Sequence, residues 1–283
     1  MNTNEKKPIK MIGLDMDGTV LSTKKELLPH TVEVIKKAIA QGVIVLAATG
    51  RPITGIPKEF SEIPGIHYAL TANGARIFDT REKKVLYEHL LPIETACKAL
   101  DIFDKYDTLQ EIYFDGQGYA ERKKIETVEK YLLDPNMAFY IRNTRKPVDN
   151  IRAYIAERGQ DMDKTQALFA NLDERNQALE EIKRLENVTY ACSQATNIEV
   201  NDSGINKGIG LLKLGELLGI KREEIMACGD GENDIDMLRE VGFGVAVANA
   251  EQSVKAVADY ITLSNDEEGV AKAIEQFVLS DIE

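Results

Sequence analysis

Residues 11–19 read MIGLDMDGT, and this stretch decides the fold class of the chain. Its first four residues are apolar and predict a short buried strand that ends at Asp15. A helix is predicted over 29–41, because Pro29 suits the first turn of a helix and Gly42 directly follows the last turn. The apolar, β-branched run 43–48 then predicts a strand buried on both faces. This strand–helix–strand order indicates a parallel sheet.

The last third of the chain repeats the same alternation of short apolar runs and helical patterns. The predicted elements of this last third are strands over 225–228 and 244–248 and helices over 205–218, 235–241 and 269–278. The first third is predicted to contain one more strand, over 67–71. We therefore predict an α/β fold with a doubly wound, mostly parallel sheet.

The middle of the chain has a different, α+β pattern, which predicts a second domain inserted into the first. A hairpin is expected over 111–121 because Asp115-Gly116 is a turn signal. Helices are predicted over 93–106, 126–133, 148–157 and 173–185, and strands over 138–142 and 188–192. The predicted domains are a discontinuous catalytic core, 1–84 and 196–283, and an inserted cap, 85–195.

Composition limits the possible partners and cofactors of this 283-residue chain. The net charge of −12 argues against nucleic acid or an anionic membrane as the main partner. The polar segment 1–8 lacks the apolar stretch of a secretory signal, so we expect a cytoplasmic protein. Three scattered cysteines and three scattered histidines make a disulfide or a zinc site improbable. Any metal should therefore be hard and bound by oxygen.

Four polar clusters follow predicted strands or open a predicted helix. They are DMDGT at 15–19, TGR at 49–51, NKG at 206–208 and GDGEND at 229–234. In open α/β sheets, ligands bind beyond the carboxyl ends of the strands. No single cluster would be convincing alone, but their joint placement at one sheet edge predicts an active site there.

The carboxylates of these clusters suit phosphoryl transfer. Asp15, at a strand end, can attack phosphorus and form an acyl phosphate. Asp17 can protonate the leaving oxygen and then deprotonate the attacking water. A carboxylate needs a cation to approach a phosphate, and Mg²⁺ held by Asp15, the Asp17 carbonyl and Asp230 would supply it. Asp234 would support the metal waters from outside the coordination sphere.

The remaining polar residues of the clusters are candidates for binding the phosphate. Thr49 offers a hydroxyl, Gly50 an unobstructed N–H, Lys207 a compact positive charge and Asn233 an amide donor. Met16, between the two aspartates, is assigned to the same set. Arg51 stays open between a phosphate contact, a cap contact and a surface position. The acidic run at 229–234 lacks the ligand spacing of a calcium loop.

These motifs resemble those of the haloacid dehalogenase superfamily. Asn73-Gly74-Ala75 and the tail 265–274 are similar to its Cof-type branch, which carries a type IIB cap. The resemblance implies a Rossmann-like core split by an α/β cap, Mg²⁺, an aspartyl-phosphate and small sugar phosphates or similar substrates. Dehalogenases of the superfamily lack the second aspartate, so the presence of Asp17 favours a phosphatase.

Two other functions use similar residues. A phosphomutase has the same acids and differs in a cap that excludes water. A phospho-acceptor signalling module also groups acids, a threonine and a lysine at strand ends, but it is far shorter and needs no cap. The substrate stays open among sugar phosphate, nucleotide, flavin mononucleotide and pyridoxal phosphate, and the protein is expected to be a monomer or small homo-oligomer.

Overall fold

A computed structural model of the protein describes residues 8–279. The cytoplasmic location was predicted from the polar segment 1–8, and residues 1–7 of that segment lie outside the described residues. The strands are β1 Met11–Leu14, β2 Ile44–Ala48, β3 Tyr68–Thr71, β4 Arg76–Asp79, β5 Lys84–Glu88, β6 Thr108–Phe114, β7 Gln117–Glu121, β8 Arg145–Val148, β9 Lys164–Phe169, β10 Val188–Ala191, β11 Asn197–Asp202, β12 Ile225–Gly229, β13 Phe243–Ala246 and β14 Tyr260–Ile261.

The helices alternate with these strands in the first and last parts of the chain. They are α1 Pro29–Ala40, α2 Lys58–Ser61, α3 Ile93–Phe103, α4 Arg122–Glu126, α5 Pro135–Thr144, α6 Ile151–Arg158, α7 Leu172–Ile182, α8 Lys207–Leu218, α9 Ile235–Glu240, α10 Gln252–Lys255 and α11 Gly269–Phe277. Within residues 8–279, no helix has the length and hydropathy needed to cross a membrane.

The described chain forms two compact units, and the first comprises residues 8–49, 56–87 and 206–279. Its eight-stranded sheet has the order β14-β13-β12-β1-β2-β3-β4-β5. The strands from β14 to β3 are parallel, and β4 is antiparallel to β3. All four residues of β1 are buried, as expected for a central parallel strand. The predicted doubly wound, mostly parallel sheet is therefore confirmed.

Helix boundaries in this unit follow the capping signals of the sequence. Helix α1 has Pro29 in its first turn, and Gly42 after its end adopts a φ of 85°. Helix α8 begins at Lys207 rather than at the predicted 205, because the Asn206 side chain accepts a hydrogen bond from the Ile209 N–H (2.8 Å). Gly219 ends it in the left-handed conformation. The cap at Asn206 places Lys207 in the first helical turn.

The second unit comprises Gly50–Gly55 and Glu88–Ile205. Its six-stranded sheet has the order β10-β11-β9-β6-β7-β8 and is antiparallel except where β7 pairs with β8. The predicted Asp115-Gly116 turn joins β6 and β7, and both residues have positive φ, as a tight hairpin turn requires. Helices α3, α6 and α7 contribute to an apolar core with one face of this sheet.

Two predictions in the middle of the chain are wrong. Residues 138–142, predicted as a strand, lie in α5, where Asp134 caps the N-terminus and Pro135 occupies the first turn. A short apolar run is compatible with either a strand or a helix, and here the two N-terminal signals favour a helix. The helix predicted over 126–133 is replaced by α4 and a 3₁₀ turn at Val128–Tyr131.

Strand β11 pairs with β9 in the second sheet, although the predicted boundary at 195 assigned it to the core. The pairing residues are far apart in sequence, so composition gave no sign of it. The division into a catalytic core and a cap stays a prediction.

Candidate active site

Acidic residues meet at the carboxyl ends of two neighbouring strands of the first unit. Asp15 directly follows β1, and its N–H donates to the Cys228 carbonyl on β12 (3.0 Å). Asp230 directly follows β12 and Asp234 lies one turn later. Carboxylate oxygens of Asp15, Asp230 and Asp234 lie within 4.8 Å of one another. The sheet thus brings together residues that are more than two hundred positions apart.

Lys207 is fully buried between two of these carboxylates. Its Nζ donates to Asp15 Oδ1 (2.6 Å) and to Asp234 Oδ1 (2.7 Å). The other oxygen of Asp234 accepts from the backbone N–H groups of Asp230 and Gly231, both at 3.0 Å. Asp234 therefore fixes both the lysine and the loop that carries Asp230.

Burial and the repulsion of neighbouring carboxylates raise the pKa values of Asp15 and Asp230. Burial is the main cause that raises the pKa of Asp15 well above its usual value, and Asp234 and Asp230 add to it against the opposing effect of Lys207. Burial and then Asp234 raise the pKa of Asp230 to about 7. Burial alone would lower the pKa of Lys207, but Asp15 and Asp234 outweigh it and raise that pKa.

The donor set fits a hard divalent cation. When ionised, the three carboxylates exceed the charge of Lys207 by two negative charges, which one divalent cation would balance. All the candidate side-chain ligand atoms are carboxylate oxygens, which Mg²⁺ and Ca²⁺ prefer.

We expect the metal-free protein to lose stability as pH rises. Because the folded-state pKa values of Asp15 and Asp230 lie above the unfolded values, these groups stabilise the fold while protonated. That contribution disappears as pH rises through the folded pKa, about 7 for Asp230. With chelator present, Tm should fall between roughly pH 5 and pH 8, and MgCl₂ should reduce the fall.

Differential scanning calorimetry of wild type, Asp230→Asn and the exposed control Asp236→Asn checks this. Asp230→Asn should flatten the pH dependence and Asp236→Asn should not. A wild-type Tm that is constant or rises over this pH range in chelator would contradict the raised pKa values of Asp15 and Asp230.

Asp17 lies beside this acidic group and is only partly buried, with a third of its side chain exposed. Lys25 Nζ donates a hydrogen bond to Asp17 Oδ1 (2.9 Å). Lys25 lies in a turn and has a positive φ. Gly18 has a φ of 83°, and a Cβ there would lie 2.4 Å from Asp230 Oδ2. Glycine is therefore required at position 18. The hydroxyl of the next residue, Thr19, donates a hydrogen bond to Asp230 Oδ1 (2.5 Å).

The other predicted residues are placed as follows. Thr49 is buried directly after β2, and its carbonyl accepts from the Asn73 N–H (3.1 Å). Asn233 Nδ2 donates to Asn73 Oδ1 (3.3 Å). The Met16 side chain is buried, and its carbonyl accepts from Leu21 N–H. Gly50 belongs to the second unit.

Sequence reasoning assigned no role to several residues that contact the site, among them Thr19, Lys25 and Asn249. Thr19 belongs to the motif at 15–19, but nothing near it in the sequence indicates that its hydroxyl has a partner 211 positions away. Lys25 follows a Ser-Thr-Lys turn, which could have suggested a hairpin returning toward Asp17. Asn249 Nδ2 donates to the Gly18 carbonyl (2.8 Å), and no local motif marks it.

Comparisons with known proteins identify the family of the chain. The family model for haloacid dehalogenase-like hydrolases matches residues 12–274. A Bacillus subtilis protein, 5-amino-6-(5-phospho-D-ribitylamino)uracil phosphatase YcsE, is 34% identical over 278 residues and 96% of each chain is covered.

Two solved structures are similar over nearly the whole chain. A haloacid dehalogenase-like hydrolase from B. subtilis has a TM-score of 0.84 at 25% identity, covering 96% of this chain and 100% of that one. The subclass IIB sugar phosphatase BT4131 has a TM-score of 0.80 at 28% identity, covering 94% and 98%.

The acidic strand-end site on a mostly parallel sheet, together with similar proteins that are named phosphatases, defines a phosphatase. The chain belongs to the haloacid dehalogenase-like hydrolase family.

Proposed function

We propose that the protein is a Mg²⁺-dependent phosphatase that hydrolyses small phosphorylated metabolites through an aspartyl-phosphate on Asp15. The observation that carries this proposal is the buried Asp15 carboxylate at a strand end, 2.6 Å from Lys207 and within 4.8 Å of two further carboxylates. Such a group is held in one place and is too crowded by charge to serve as an ordinary surface acid.

Asp15, Asp230 and the backbone carbonyl of Asp17 would hold the Mg²⁺, with Asp234 outside the coordination sphere. Both oxygens of Asp234 already accept hydrogen bonds, which supports that outer role. When bound, Mg²⁺ supplies charge neutralisation between the carboxylate and the phosphate.

In the first step, an Asp15 carboxylate oxygen forms a bond to phosphorus while the bond from phosphorus to the leaving oxygen breaks. Asp17 donates a proton to that oxygen, which leaves as an alcohol. In the second step, Asp17 takes a proton from water as the water oxygen attacks phosphorus. The bond to Asp15 breaks, and inorganic phosphate and the free carboxylate are restored.

Lys207 has a second task besides holding Asp15. Its ammonium group lies 2.6 Å from Asp15 Oδ1, and this proximity supports a role in offsetting the charge of a phosphate bound at Asp15. Thr49, Gly50, Met16 and Asn233 are proposed to complete the phosphate contacts through hydroxyl, amide and backbone groups.

We propose a phosphate ester of a polyhydroxylated small molecule as substrate, with the second unit acting as a cap. Sugar phosphates belong to this class. So does the phosphorylated ribityl compound after which the 34% identical relative is named.

The test is release of inorganic phosphate from a panel of phosphate monoesters, with MgCl₂ and with chelator. The panel should contain an aryl phosphate, hexose phosphates, ribitol 5-phosphate, a nucleotide, flavin mononucleotide and pyridoxal phosphate. We expect release only with Mg²⁺ and fastest turnover among the polyol and sugar phosphates. Isomerised phosphate ester without free phosphate would instead indicate a phosphomutase, and release that survives chelation would contradict the metal assignment.

A further inference from the structure

The turn that follows Asp17 is joined to the rest of the first unit through two of its backbone carbonyls. The Gly18 carbonyl accepts from Asn249 Nδ2 (2.8 Å), and the Leu21 carbonyl accepts from Asn265 Nδ2 (3.0 Å). The two asparagines are themselves linked, because Asn249 Oδ1 accepts from the Asn265 backbone N–H (2.9 Å). We name these three hydrogen bonds the asparagine bridge. It connects one end of the turn to the other through side chains from the last part of the chain.

At Asn249, the asparagine bridge is attached to the loop that carries Asp230. The Val247 N–H donates to the Gly229 carbonyl (3.3 Å), and the Glu251 N–H donates to the Asp230 carbonyl (3.2 Å). These two hydrogen bonds lie on either side of Asn249 in the sequence, so they fix the backbone from which its side chain extends. Asn249 therefore links the Asp230 loop to the turn on the neighbouring strand.

At Asn265, the bridge is attached to a segment that makes further contacts with the chain after the turn. Asn265 itself is buried. Asp266 accepts from the N–H and the hydroxyl of Thr23 (2.8 and 2.7 Å), and Glu268 accepts from the N–H and the hydroxyl of Thr31 (2.7 and 2.8 Å). Both ends of the asparagine bridge are thus anchored in the first unit.

Packing alone does not hold the Asp17 side chain in one place. A third of that side chain is exposed, and its ion-pair partner Lys25 is also partly exposed. Such a pair adds little and leaves both side chains mobile. A general acid must lie within hydrogen-bond reach of the oxygen that it protonates. The backbone of the turn must therefore supply the fixed position, and the asparagine bridge holds that backbone.

The amide of Asn249 is the chemical group that its two contacts require. It donates to one backbone carbonyl and accepts from one backbone N–H. An amide can do both, whereas a carboxylate can only accept. An amide also adds no negative charge beside a site that already holds three carboxylates.

We infer that Asn249 and Asn265 are positioning residues for Asp17. They hold turn 18–21 so that the Asp17 carboxyl reaches the leaving oxygen in the first step and the attacking water in the second. This inference rests on the proposed phosphatase function. Neither asparagine takes part in the bond changes at phosphorus.

The substitution Asn249→Ala tests the inference, and because Asn249 is exposed it leaves no buried cavity. Under saturating MgCl₂, kcat for the sugar or polyol phosphate that wild type hydrolyses fastest should fall about ten- to a hundredfold, the cost of a misplaced catalytic group. With p-nitrophenyl phosphate, kcat should fall by about tenfold or more while kcat/KM stays within about twofold. The reason is that p-nitrophenolate leaves without a proton, and kcat/KM reports only the first step.

A double-mutant cycle separates positioning of Asp17 from a general effect on the site. In the Asp17→Asn background the carboxyl to be positioned is already gone, so adding Asn249→Ala should change kcat by no more than about twofold. Losses that multiply in the double variant would overturn the inference. Tm of each variant, measured beside the kinetics, reports its folding.

Two further variants serve as a near-isosteric test and a matched control. Asn249→Asp keeps the acceptor for Asn265 but cannot donate to Gly18, so its kcat should fall as in Asn249→Ala. Asp259→Ala removes a side-chain hydrogen bond of similar length, to the Gly244 N–H (2.9 Å), in the same unit. It should keep the wild-type kcat and kcat/KM for both substrates.

The inference and the proposed function fail in different ways. Wild-type kcat in Asn249→Ala or Asn249→Asp would overturn the inference and leave the phosphatase proposal intact. An equal fall of kcat and kcat/KM for p-nitrophenyl phosphate in Asn249→Ala would overturn it as well, because a loss of active protein lowers both constants together. Release of phosphate by wild type from no member of the panel would overturn the proposed function itself, and the inference with it.

Discussion

Asp15→Asn should lower kcat for every phosphate monoester by at least about four orders of magnitude. An amide has no nucleophilic carboxylate oxygen, so the first bond to phosphorus cannot form. The loss should be the same for good and poor leaving groups, because the missing nucleophile precedes every other step. Steady-state phosphate release under saturating Mg²⁺ measures it.

Stability distinguishes this loss from misfolding. Asp15 is one of three crowded carboxylates, so a neutral amide of the same shape relieves repulsion. We expect the metal-free Tm of Asp15→Asn to equal or exceed that of wild type. Glu232→Gln, an exposed carboxylate in the loop of Asp230, serves as the control and should keep full activity. Turnover by Asp15→Asn above about a hundredth of wild type would contradict its assignment as nucleophile.

Asp17→Asn should lower kcat by roughly 10²- to 10⁴-fold, the usual contribution of general acid–base catalysis. Unlike the loss at Asp15, this one should depend on the leaving group. A poor leaving group such as a sugar alkoxide needs protonation, whereas p-nitrophenolate does not. With an aryl phosphate, the first step should therefore survive and hydrolysis of the acyl phosphate should become slow.

The fold should tolerate this substitution, since the Asp17–Lys25 pair is partly exposed and such pairs add little stability. Pre-steady-state kinetics with p-nitrophenyl phosphate measure the two steps separately. A burst of p-nitrophenol followed by slow turnover is the expected result. Wild-type steady-state rates with both sugar and aryl phosphates would remove Asp17 from the acid–base role.

Much of the first unit could be predicted because its signals are local. The apolar run before Asp15, the proline that opens α1 and the glycine that closes α8 each act within one turn of chain. The meeting of Asp15 with Asp230 followed from a general rule, since carboxyl ends of parallel strands share one sheet edge. Local pattern and sheet topology point to the same arrangement.

What could not be predicted depends on partners distant in sequence. Nothing near Glu111 indicates that Gln166 and Arg145 converge on one of its oxygens, because those strands pair only in the folded unit. Nothing near Arg51 indicates a tyrosine ring almost ninety positions away. Helix α5 was missed for a different reason, since its caps compete with an apolar run of strand length.

The formation of an acyl phosphate on Asp15 is the central claim, and one measurement tests it most directly. Asp17→Asn protein is mixed with p-nitrophenyl phosphate and MgCl₂, quenched in acid within the burst and digested for peptide mass spectrometry. The account predicts a phosphoryl group on the Asp15 side chain, removed by hydroxylamine as an acyl phosphate should be. A phosphoryl group on another residue, or a burst of p-nitrophenol with no phosphorylated peptide at all, would contradict it.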